Sequence, residues 1–107
     1  MWHDRRMAMV TWEFDDGIYC MLSTHDGFGD DRVTYHELSE ARTVTAPADD
    51  ASPGTAAPGP TAVTVKIYPP VEGKSPSVYF DGHQAIPFAV LKQFTNLVTA
   101  DIEARAT

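Results

Sequence analysis

The 107-residue sequence is poor in cysteine, in basic residues and in long apolar runs, and each shortage narrows what the chain can be. Its one cysteine, Cys20, permits no intramolecular disulfide, so the fold does not depend on an oxidising compartment. No apolar run approaches the roughly 20 residues that a membrane-crossing helix needs. The opening MWHDRRMAMV has two arginines but no apolar core of a secretion signal, so the cytoplasm is the expected location. Eight Lys and Arg stand against 15 Asp and Glu, a net charge of −7. A surface that binds phosphate needs the opposite balance, which argues against direct contact with nucleic acid or an anionic membrane.

Motifs for catalysis and ligand binding are equally scarce. There is no Gly-x-Ser-x-Gly, and Cys20 falls in the middle of a strand-like run. Gly27-Phe28-Gly29 lacks the third glycine, the following helix and the lysine of a phosphate-cradling loop, and its neighbours are acidic. His25, Asp26, Asp30, Asp31 and His36 cluster around one turn, where two imidazoles and carboxylates would suit zinc, but their spacing matches no zinc or EF-hand pattern. Aspartates are common in turns for conformational reasons alone. His83, beside Asp81, stands where a strand turns into a helix, yet nothing nearby completes a nucleophile and base. Trp12, Tyr19, Tyr35, Tyr68 and Tyr79 could stack bases from a sheet, but the basic groove that must accompany them is missing.

What the chain does have is patterning. A hydrophobic share of 43% and 11 aromatic residues are enough for one domain with a real core. Met7–Phe14 alternates, with Val10, Trp12 and Phe14 on one face, as a half-buried strand does. Asp15-Asp16-Gly17 then predicts a hairpin turn into Ile18–Ser23, where Ile18, Cys20 and Leu22 read as core-facing. Val33–Glu37 is a third strand. Arg42–Thr45 reads either as a fourth, or Leu38–Arg42 as a helical turn. Residues 46–61, APADDASPGTAAPGPT, hold four prolines, two glycines and no large apolar side chain, and predict a flexible loop or linker. Ala62–Tyr68 and Ser77–Phe80 complete the strands. Val10, Trp12, Phe14, Val63, Val65, Ile67, Val78 and Phe80 can form one apolar face.

The last segment is an amphipathic helix over about residues 87–104, with Pro87 suited to its first position. Phe88, Val90, Leu91, Phe94, Leu97, Val98 and Ile102 fill an arc of about 180°, broken only by Asp101 and Thr95; an ordinary surface helix shows a stripe of roughly 100°. The extra width calls for cover from a curved sheet, a loop or a second copy of the chain. The expected fold is therefore α+β, an antiparallel sheet of four to six strands packed by one C-terminal helix.

Charge divides unevenly along that plan, with −5 in residues 1–46, −2 in residues 47–61 and zero in residues 62–107. The combined reading is a small acidic protein-binding or regulatory module with neither catalytic activity nor cofactor. Its partner would be a basic protein or a second copy, with no direct nucleic acid and no membrane. Asp15, Asp16, Asp26, Asp30 and Asp31 are the candidate acidic interaction surface, and an alternative is an acidic inhibitor that imitates nucleic acid. A third reading, from a different class, is a small enzyme or metal protein using His25, His36 or His83.

Overall fold

A computed structural model describes residues 6–27, 31–44, 55–82 and 84–106. The alternating segments form strands β1 (Arg6–Phe14), β2 (Gly17–Asp26), β3 (Val33–Val44), β4 (Thr55–Ile67) and β5 (Ser77–Phe80), followed by helix α1 (Phe88–Ala106). The strands lie in one open antiparallel sheet in the order β1-β2-β3-β4-β5, so each pairs with its neighbour in sequence. This is the expected α+β architecture, an antiparallel sheet packed by a single C-terminal helix.

The β1–β2 turn is the two-residue Asp15-Asp16 loop between the paired Phe14 and Gly17. Asp15 takes the left-handed conformation (φ 52), which Asp tolerates better than most residues. At the other end of the chain, the Pro87 carbonyl accepts from the N–H groups of Val90 and Leu91 at 3.0 and 3.1 Å. Pro87 thus sits just outside α1, and Phe88 takes the first helical position.

Residues directly opposite one another share a face of the sheet, so the register assigns every side chain. On the helix side lie Val10, Trp12 and Phe14 of β1, Met21 and Ser23 of β2, His36 and Leu38 of β3, Val63 and Val65 of β4, and Val78 and Phe80 of β5. Val90, Phe94 and Val98 of α1 pack with Met21, Leu38, Ala62, Val63 and Val65 into the core, with Leu91, Leu97 and Ile102 partly buried around it.

Four details depart from the sequence reading. Phe88 stays 77% exposed, so the helix face that meets the sheet is narrower than the apolar arc. Cys20 is buried, but it lies opposite Thr11 and Ser39, out of phase with Met21, and therefore on the face away from α1. There its Sγ is 3.2 Å from Ser39 Oγ. The phase of β2 is set by Met21 and by Ser23, whose hydroxyl is hydrogen-bonded on the helix side, rather than by Ile18 and Leu22. Third, Leu38–Val44 continues β3 without a helical turn.

Finally, residues 55–61 of the anticipated 46–61 loop form the first half of β4, while residues 45–54 lie outside the described residues. Main-chain pairing with β3 orders this stretch although it has few side chains to bury. The ladder accommodates its prolines through register shifts between Leu38 and Ser39 and between Ser39 and Ala41, as bulges do. Gly59 is required there, because a Cβ would stand 2.7 Å from the Glu40 carbonyl oxygen. Beyond the shifts, Pro58 shares an apolar groove of about 300 Å³ with Met7, Met9 and Leu22 on the face opposite α1.

Candidate functional site

Three features carry the unusual chemistry of the fold. The first is a buried polar relay on the helix side. Ser23 Oγ lies 2.7 Å from His36 Nδ1, and His36 Nε2 lies 2.9 Å from Asp101 Oδ2. A carboxylate only accepts, so Nε2 carries a proton, and in the neutral ring Nδ1 accepts from the Ser23 hydroxyl. The three residues are those of a hydrolase triad, but the serine is only 7% exposed and the histidine 2%. With both ring nitrogens held by protein partners, the relay ties β2, β3 and α1 together. His25 lies one pleat further on, its Nδ1 2.8 Å from Thr34 Oγ1. His25 and His36 thus share a face, and each has a hydroxyl partner. No group of three or more metal-ligating side chains occurs among the described residues.

The second feature is a ladder of tyrosines and lysines on the opposite face. The register puts Tyr35, Lys66 and Ser77 in one row across β3, β4 and β5. Lys66 Nζ stands 5.8 Å from the Tyr35 ring centroid and 4.8 Å from that of Tyr68, and Lys74 Nζ is 5.4 Å from Tyr68. The Tyr68 hydroxyl is 3.0 Å from Ser77 Oγ and 3.4 Å from the Tyr79 hydroxyl. Hydrogen bonds from Ser77 and then Tyr79 hold the Tyr68 phenol below the usual tyrosine range, and the two lysines act in the same direction. Tyr79, bonded to Tyr68, is raised above it. This corner gathers two of the chain's three lysines. Glu72 lies 3.5 Å from Lys74, whereas Lys66 has no carboxylate partner among the described residues.

The third feature is the outer edge of β5, which no other strand among the described residues covers. The Asp81 N–H donates to the Ala62 carbonyl at 2.9 Å, which fixes the phase of the β4–β5 ladder. In an antiparallel pair such contacts alternate, so residues 77, 79 and 81 turn their backbones toward β4. The N–H and C=O groups of Val78 and Phe80 therefore face outward. Those same two residues are 52% and 71% exposed, with their side chains on the helix side and outside the core around α1. Phe88 opens the helix on that side of the sheet, also uncovered.

The aspartates singled out from sequence do not gather. Asp15 and Asp16 are exposed at the β1–β2 turn, while Asp26 and Asp31 border the β2–β3 turn at the other end of β2. Residues 17–25 of β2 separate the two groups, about 30 Å of chain. Asp30 and His83 lie outside the described residues. Of the apolar arc, Val90, Phe94 and Val98 are buried in the core, Leu91, Leu97 and Ile102 line it, and Phe88 is free.

Sequence reasoning missed the relay and the ladder. Asp101 had nevertheless given a signal, as the one carboxylate inside the apolar arc. An acid on a packing face needs a buried partner, and a histidine on the facing strand supplies it. Among the described residues no helix is long and apolar enough to cross a membrane. No protein-family model, curated protein or solved structure matches this chain.

Proposed function

We propose that this chain is a non-catalytic protein-binding module that receives an extended segment of its partner on the open edge of β5. The observation that carries this reading is the coincidence at Val78 and Phe80 of outward-facing backbone groups and uncovered apolar side chains. An edge strand with free donors and acceptors is a template for another strand, and proteins normally blunt such an edge with charge, proline or a bulge. β5 is itself short, with Pro76 before it and Asp81 after it, but within its four residues it carries no charge and no proline. Strand addition uses these two elements together, main-chain hydrogen bonds for affinity and alternate side chains for selectivity.

The competing readings find less support. Ser23 and His36 are buried and bonded to each other, which favours a structural role over a nucleophilic one. Imitation of nucleic acid calls for a continuous array of carboxylates, whereas the aspartates divide between opposite ends of β2.

The test is selection from a displayed library of random peptides. Wild-type protein is expected to enrich binders that lose affinity for Val78→Pro. This substitution deletes an outward N–H and leaves the β4–β5 ladder intact, a position where edge strands accept proline. Failure to enrich any binder, or binders indifferent to Val78→Pro, would refute the proposal.

A further inference from the structure

Resting on the reading of β5 as the docking edge, we infer that the segment it receives alternates apolar with acidic side chains, the acids falling on the tyrosine–lysine ladder. A strand added to β5 forms hydrogen-bonded pairs at Val78 and Phe80, because only their backbones face outward. Its side chains opposite those two residues lie on the helix side, against Val78 and Phe80. The intervening side chains point to the other face, beside Ser77 and Tyr79. That is the face of Tyr68, Lys66 and Lys74.

This corner does not share the negative excess of the whole molecule. The sequence from Ala62 to Phe80 holds Lys66 and Lys74 against the single acid Glu72. The excess negative charge is carried by residues 1–61, and β1 and β2 lie at the far side of the sheet from β5. At physiological ionic strength charges more than about 8 Å away are largely screened, so the ladder governs its own surroundings. Asp81 follows Phe80, which makes the Ser77 end of β5 the more favourable end for a partner carboxylate. Lys66 offers its ammonium there and makes no ion pair among the described residues, the Ser77, Tyr68 and Tyr79 hydroxyls stand alongside, and Glu37 on the same face accepts from the Thr61 hydroxyl.

Two β5 strands pairing antiparallel would be related by a two-fold axis normal to the sheet. Each would bring the other only Asp81 as a carboxylate beside its four uncharged strand residues, whereas a foreign strand alternating acids with apolar residues brings several.

The experiment compares two soluble peptides, one alternating valine with aspartate and one alternating valine with lysine, by calorimetric titration into the full chain. The acidic peptide is expected to bind about tenfold more tightly, the scale of two exposed charge pairs gained in one case and opposed in the other. Lys66→Ala/Lys74→Ala should reduce the ratio toward unity, and raised salt should do the same to wild type. Equal binding of both peptides, each abolished by Val78→Pro, would overturn the charge assignment while sustaining β5 as the docking edge. Binding of neither would overturn both. Sedimentation showing a dimer that Val78→Pro dissociates would overturn the foreign strand in favour of a second copy.

Discussion

Replacing Asp101 with alanine tests the relay that fastens α1 to the sheet. The substitution deprives His36 Nε2–H of its acceptor in a ring that is 2% exposed. An unsatisfied buried donor costs about 1–3 kcal/mol. Alanine returns about 0.5 kcal/mol of helix propensity, and the Asp101 side chain is itself 32% exposed, so some water reaches the vacated place. The net loss should be about 0.5–2.5 kcal/mol, or roughly 0.5–2 M in the urea midpoint with an unchanged m-value. Asp101→Asn keeps an oxygen acceptor without the charge and should lose about half as much. Ser23→Ala should cost about 1 kcal/mol, and the Ser23/Asp101 double variant less than the sum, by about 0.5 kcal/mol or more. The carboxylate holds the proton on Nε2 and so keeps Nδ1 free to accept from Ser23. A loss for Asp101→Ala below about 0.5 kcal/mol, equal to that of the exposed Glu103→Ala, would refute this account.

Three further outcomes follow from named contacts. Phe94→Ala empties the largest fully buried side-chain position and should cost about 3–5 kcal/mol by chemical denaturation, much of the stability of a domain of this size. Gly59→Ala pushes a Cβ against the Glu40 carbonyl and should destabilise by about 1–3 kcal/mol, with faster amide exchange in residues 39–44 and 55–61. In an ultraviolet pH titration, Tyr68 should ionise before Tyr79. Because hydrogen bonding from Ser77 is the first cause of its lowered pKa, Ser77→Ala should move that step upward, and an unmoved step would remove Ser77 from the explanation.

Much of the architecture was legible because side-chain period and turn chemistry are local properties. The alternation of Val63, Val65 and Ile67, the Asp15-Asp16 turn and the helical spacing of Val90, Phe94 and Val98 each declare themselves within a few residues. The phase of β2 was not legible in the same way. Ile18, Cys20 and Leu22 look more apolar than Tyr19, Met21 and Ser23, and only pairing across the sheet turns the second set toward α1. Residues 55–61 misled for a related reason, since composition registers the side chains a segment can bury and is blind to the main-chain partners waiting for it. The candidate sites depend on register still more. Tyr35 and Lys66 become neighbours through the β3–β4 pairing, and His36 meets Asp101 across 65 residues of sequence.

That separation also bears on the order in which the molecule assembles. Every strand pairs with its sequence neighbour, so the sheet can grow by successive hairpins, each closing a short loop at modest entropic cost. The His36–Asp101 contact can form only when α1 arrives, making it a late latch on a sheet already built. Weakening a contact formed after the transition state accelerates unfolding and leaves folding nearly untouched. Asp101→Ala should therefore act on the lifetime of the native state more than on the speed of reaching it, and a chevron would display its effect chiefly in the unfolding limb.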